Sequence, residues 1–187
     1  MTRPVERSEL VDYQTYEELR PAIRQAVMKV KEPRRIHVGP HLTFLFENHA
    51  TMRYQVQEMM RAEKIVSEAA ILHEIETYNE ILGGVGELGC TLLVELDDPD
   101  ERARKLTGWL ELPKHLYATL EDGTRVRPTY DERQVGEERV SSVQYLKFAV
   151  GERAPVALGC DHRDPDLSSE AELSDAQRAA LQKDLDS

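Results

Sequence analysis

Residues 52–82 contain neither proline nor glycine, and this uninterrupted stretch limits the fold more than any other feature of the chain. Met52, Val56, Met59, Val66 and Ala70 mark one apolar stripe along it; Ile65, Ala69, Leu72 and Ile75 mark another. Recurrence at three- and four-residue spacing is the pattern of an amphipathic helix with a core-facing side. The stretch therefore reads as one long helix or two in close succession, ended by Gly83-Gly84. After Gly86 the period changes, and Leu88 to Leu96 is apolar and β-prone.

The remaining elements fall on either side of that division. Thr15-Tyr16-Glu17-Glu18 reads as a capping box, followed by Leu19, Ile23, Val27 and Val30 at helical spacing. Pro21 either kinks this helix or opens a second one, and Pro33 stops it. The first dozen residues look loosely ordered, and Leu42 to Phe46 is a short apolar run of either type. Asp98-Pro99 opens a short helix to about Thr107. Tyr117 to Leu120 and Thr124 to Tyr130 flank the hairpin signal Asp122-Gly123. Val140 to Val150 and Pro155 to Cys160 read as further strands, and Ser174-x-x-Gln177 caps a last helix from Asp175 to Leu185. Helices first and strands later predict an α+β fold: N-terminal helices including one long helix, then a mostly antiparallel sheet with a short helix inserted, and a C-terminal helix. Residues 1–160 read as one domain and residues 161–187 as an acidic tail with a short amphipathic helix.

A length of 187 residues suits one domain with a sizeable core. The formal charge of −11 argues against phosphate backbones and anionic lipid as partners, so no nucleic acid and no membrane are expected. The opening residues have no apolar stretch behind them, which makes a cytoplasmic location the expectation. Cys90 and Cys160 lie far apart and form no CxxC pair, so both read as buried thiols.

No nucleotide-binding, nucleophile-elbow or zinc-protease fingerprint is present. Gly83-Gly84-Val85-Gly86 follows a helix, not a strand, and reads as a stop and turn. On the long helical stretch His73, Glu76 and Glu80 share a face at a spacing used by helical metal sites, although a solvated face explains it more simply. Glu63 lies between Met59 and Val66 on the apolar stripe, where an ionised carboxylate requires a partner; Glu58, Glu63, His73 and Glu76 form the candidate polar cluster. His37, His41, Glu47 and His49 are close in sequence and are weak candidates for a metal. Arg34 and Arg35, with Lys29 and Lys31, form a basic patch suited to an anion or an acidic partner. Cys160-Asp161-His162 is a further candidate pair of metal ligands.

Arg34-Arg35-Ile36-His37-Val38-Gly39, Thr43-Phe44-Leu45-Phe46-Glu47-Asn48 and the block from Gln55 to Ile65 together resemble the DUF3501-type family of uncharacterised bacterial domains. Glu74-Ile75-Glu76-Thr77-Tyr78-Asn79 and the strand Ser141 to Phe148 are similar to it as well. The likeness covers roughly Tyr16 to Val150 and leaves the acidic tail outside. It implies a setting, because genes of this family stand beside rubrerythrin-like and iron–sulfur oxidoreductase genes. A rubrerythrin-like or iron–sulfur protein is thus the implied partner; the resemblance supplies no cofactor and no ligand set.

Three functions follow as expectations. The first is a non-catalytic accessory protein of a redox or peroxide-defence system that binds a protein partner. The second is a metal-binding protein or enzyme joining the His37–His49 segment to Glu58, Glu63, His73 or Glu76. The third is a small-molecule sensor with a pocket between the long helical stretch and the sheet.

Overall fold

The computed structural model describes residues 2–132, 136 and 138–187. The fold is α+β, with helices first, two antiparallel sheets, a short helix between strands and a closing helix.

Helix α1 spans Tyr13–Lys31 and is the long N-terminal helix. Its N-cap is Asp12, whose carboxylate accepts from the Gln14 and Thr15 amides. Thr15 therefore lies inside the first turn and donates its hydroxyl to Asp12 at 2.7 Å, instead of heading the expected capping box. Pro21 stays within this one helix, which passes into a 3-10 turn at Glu32–Arg34 containing Pro33. The proline-free stretch resolves into two helices, α2 at His49–Ala62 and α3 at Glu68–Asn79. The break lies where Lys64 adopts φ +51° and Ser67 caps α3.

Strands β1 (Arg35–Val38), β2 (Leu42–Phe46), β3 (Glu87–Val94), β6 (Thr129–Tyr130) and β7 (Val143–Ala149) form the first sheet, in the order β1-β2-β3-β7-β6. Strands β4 (Leu116–Thr119), β5 (Arg125–Val126), β8 (Ala157–Cys160) and β9 (Ser169–Glu172) form the second, ordered β5-β4-β8-β9. Every pairing is antiparallel. The hairpin between β4 and β5 turns at Gly123, whose φ of +83° favours a residue without a side chain.

Alternation places Phe44, Cys90, Leu92, Leu146 and Phe148 on the inner face of the first sheet, in one core with Leu116, Ala118, Leu158 and Cys160 of the second. Helices α4 (Pro99–Gly108) and α5 (Leu112–His115) add Leu106, Trp109 and Leu112 to that core. Both cysteines are free and buried. A second apolar cluster joins α2 and α3 to Val5, Leu10, Ile81 and Leu82.

Two side-chain amides hold the N-terminal segment, which is more tightly placed than its sequence suggests. Gln57 accepts from the Val11 amide at 2.9 Å and donates to its carbonyl at 3.0 Å. Asn79 does the same for Val5, at 2.8 and 3.0 Å. Each amide thus serves as a one-residue strand partner.

The acidic segment 161–187 is built into the same core. It supplies β9, which pairs with β8, and α6 at Asp175–Leu185, with Leu167, Leu173 and Leu181 buried. No helix among the described residues is long and apolar enough to cross a membrane.

Candidate functional site

Helix α3 runs past β6 and β7 of the first sheet and leaves a cavity of about 410 Å³ between them. Its walls are Thr77, Tyr78, Glu80 and Ile81 from α3 and the residues after it, and Thr129, Tyr130, Asp131, Tyr145, Leu146 and Lys147 from the sheet side. Alternation along β7 explains the two sides. Gln144, Leu146 and Phe148 are buried, while Val143 and Tyr145 lie on the other face and remain exposed. Volume and lining match a small-molecule site, which is concave and mostly apolar with a few polar groups.

Burial raises the Tyr78 hydroxyl above the usual phenol range; Glu74 and Glu63 act the same way, and a hydrogen bond with Gln55 opposes them. Burial also raises Tyr145, reinforced by Tyr78 and by Glu47. Glu47 stands on the far side of β3 from Tyr145. Thr91, the cross-strand neighbour of Tyr145, donates its hydroxyl to Glu47 Oε1 at 2.8 Å. Glu47 is only 5% exposed, and its Oε2 has no hydrogen-bond partner among the described residues.

The residues singled out from the sequence go to different places. Glu58 holds Arg20 through two hydrogen bonds of 2.7 and 2.9 Å and accepts the Tyr16 hydroxyl at 2.7 Å, so it ties α1 to α2. Arg20 holds its carboxyl below the usual range against the opposing effect of burial. Glu63 is exposed and caps α2; the helix ends before the apolar stripe would have buried it. His73 and Glu76 are exposed on α3. The four do not form one cluster.

The histidine segment is likewise dispersed. The Thr43 hydroxyl donates to Glu95 Oε2 at 2.5 Å, so it accepts from His37, whose Nδ1 lies 2.8 Å away. His41 Nδ1 donates to the Glu95 carbonyl at 3.2 Å, and its Nε2 meets Lys105 at 3.1 Å. His49 donates to the Arg3 carbonyl at 3.1 Å, and its Nε2 faces Glu9 at 3.1 Å. Alternation and the turn between β1 and β2 point these side chains in different directions. Among the described residues, no group of three or more His, Cys, Asp or Glu is placed to hold a metal.

The basic pair also separates. Arg35 is exposed at the start of β1, whereas Arg34 is buried against Asp184, so it is not available to an external anion. At Cys160-Asp161-His162, burial pushes the Cys160 thiol up to about 11. Asp161 turns to Arg127 and His115, and His162 packs edge-on to His115 with ring centroids 4.9 Å apart.

Tyr130 and Tyr145 were not among the residues singled out. A large aromatic side chain on the polar side of the alternating run Val143–Ala149 was the available signal. The cavity does lie where a pocket between the helical stretch and the sheet was expected.

Residues 4–185 match the family described as protein of unknown function (DUF3501). The chain belongs to the DUF3501 family. The match extends beyond the span carried by the motifs and takes in β9 and α6, in keeping with their place in the core. The DUF3501 chain is also similar to a solved structure described as a novel protein of unknown function from Burkholderia pseudomallei. The two share 28% identity and a TM-score of 0.89, over 98% of this chain and 100% of that one. No curated protein matches the chain.

Proposed function

We propose that this protein is a non-catalytic, cytosolic ligand-binding accessory protein, and that the cavity between α3 and β6–β7 is its binding site. The observation that carries the reading is the cavity itself: about 410 Å³, lined by Tyr78 and Ile81 on the helical side and by Thr129, Tyr145 and Lys147 on the outward face of the sheet. Its wall combines α3 with two strands, so an occupant would touch elements that also bear exposed surface. Occupancy is thereby a signal that a partner protein can read. The resemblance supports a redox or peroxide-defence setting, with a rubrerythrin-like or iron–sulfur protein as that partner.

Ligand-observed NMR with a library of small apolar fragments tests the site. The expected result is a set of mutually competing fragments whose binding is lost in Thr77→Trp, which fills the cavity from its exposed rim. A protein that binds no fragment, or binds fragments indifferently to Thr77→Trp, has no working site here.

A further inference from the structure

We propose that helix α1 is a dimerisation surface, on which a second copy of this chain docks in antiparallel orientation. This surface is separate from the cavity and independent of what the cavity binds.

Helix α1 uses little of its surface inside the molecule. Of its 19 residues only Tyr16 and Val27 are buried, so it leans on α2 by one narrow side. Beside that side, Leu19, Ala22, Ile23 and Ala26 fall at i, i+3, i+4 and i+7, the spacing of an apolar stripe. Ile23 is half-buried at the edge toward α2; Ala22 and Ala26 are exposed, and Leu19 is 48% exposed. The two alanines let a second helix approach closely, because the distance between helix axes follows the size of the side chains at the contact.

Charge selects the occupant. Glu18 and Lys29 border the stripe on its side away from α2, about three turns apart. The charges nearer α2 are satisfied internally: Glu58 holds Arg20 at 2.7 Å, and Arg61 meets Glu17 at 3.4 Å. Glu18 and Lys29 have no ion-pair partner among the described residues. The midpoint of Glu18 and Lys29 falls between Ile23 and Arg24, and that of Ala22 and Ala26 falls at Arg24, so one two-fold axis serves both pairs. Across it Glu18 meets the other copy's Lys29, Lys29 meets the other copy's Glu18, and Ala22 packs on Ala26. A parallel pair would set Glu18 against Glu18 and Lys29 against Lys29. A face with opposite charges at its two ends is complementary to itself, which is the condition for a closed two-fold interface.

The charge of the whole chain fits the same location. At −11, two copies repel one another over most of their surface. Helix α1 carries four basic and two acidic residues, which offsets that repulsion where it meets its copy.

Sedimentation velocity of the full chain over a concentration series tests the proposal. A reversible monomer–dimer equilibrium is expected. Glu18→Lys and Lys29→Glu each set like charges opposite one another at both ends, and each should weaken the dimer roughly tenfold. An equimolar mixture of the two variants restores both pairs, as does the double variant carrying both changes, and each should recover the dimer. Ala22→Trp, at the centre of the pair, should abolish it. All three positions are exposed, so the variants should melt with the parent. A chain that stays monomeric throughout the series overturns the proposal. A dimer indifferent to the charge reversals or to Ala22→Trp uses another surface and overturns it as well. So does a dimer weakened by the reversals that neither the mixture nor the double variant recovers, because antiparallel docking requires that recovery.

Discussion

Arg34 and Asp184, 150 residues apart, form a buried ion pair in which the guanidinium grips both carboxylate oxygens at 2.7 and 2.8 Å. Further hydrogen bonds surround the pair. Arg34 donates to the Val30 and Ala180 carbonyls, and Asn48 donates to Asp184 at 3.1 Å. One pair therefore joins the end of α1, the N-cap of α2 and the C-terminal helix. Removal of either partner leaves a charge buried alone, which costs roughly 3–5 kcal/mol. Asp184→Ala should lose that much in urea unfolding. A midpoint close to the parent's would show that water compensates Arg34.

The acidic C-terminal segment should be indispensable, against what its composition suggests. A chain ending at Gly159 loses β9, Leu167, Leu173 and Leu181, and leaves Arg34 unpaired. Leu181→Ala alone should cost about 2–5 kcal/mol, as for other large-to-small core changes. The truncated chain should show no cooperative melting transition; a sharp melt would place the domain boundary at residue 160 after all.

Glu58 and Glu63 should respond oppositely to removal of charge. Glu63→Gln, at an exposed cap, should stay within about 0.5 kcal/mol of the parent. Glu58→Gln weakens the bonds to Arg20 and Tyr16 and should be destabilising by upward of about 1 kcal/mol. The Glu58 carboxyl is held below its ordinary value, so its stabilisation is present above about pH 4.5 and fades as the pH falls further. Equal melting of the two variants would contradict this assignment.

Stability should decline between pH 7 and pH 5 through His162. Burial, reinforced by His115, lowers this imidazole below its ordinary value, and its Nδ1 accepts from the Asp164 amide at 3.0 Å. Protonation would set two donors face to face. A depressed histidine contributes stability above the unfolded value near 6.5 and loses it as the pH drops through that value and below. Asp164 also accepts from the Trp109 indole at 2.7 Å, so tryptophan fluorescence reports the change. His162→Gln should flatten the profile; a profile no different from the parent's assigns the loss to other groups.

Backbone approach sets a sharper constraint than turn geometry. A Cβ at Gly89 would lie 2.0 Å from the Ile81 carbonyl oxygen, where the chain leaving α3 crosses β3. At Gly123 a side chain meets nothing, and only its φ of +83° opposes one. Gly123→Val should cost on the order of 1 kcal/mol, and Gly89→Ala clearly more. Thermal denaturation that ranked them the other way would place the β3 crossing elsewhere.

Local chemistry made much of this fold readable. Asp98-Pro99, Ser174-x-x-Gln177 and Asp122-Gly123 each act within a few residues, and each stands where the sequence puts it. The alternation of β7 and the apolar run of β2 reveal strands for the same reason. Where two local signals competed, the sequence did not choose: Asp12 took the cap that Thr15 resembles, and Pro21 was absorbed in mid-helix.

The candidate site was less readable because its parts are distant. Tyr78 and Tyr145 border one cavity only because α3 is laid across the sheet, and periodicity carries no information about that crossing. Glu63 illustrates the converse: helical spacing put it on a buried stripe, but the turn at Lys64 rotated the later stripe away.

The sequence by itself determined the element types, most of their ends and the α+β class, since these follow from hydrogen bonding and periodicity within a few residues. Only the tertiary structure decided that the acidic tail belongs to the core and which carboxylates are paired. It also decided that Tyr78 and Tyr145 border one cavity. Each of these depends on contacts between residues far apart in the chain, such as Arg34 with Asp184, and their energy exists only once the whole chain has closed around them.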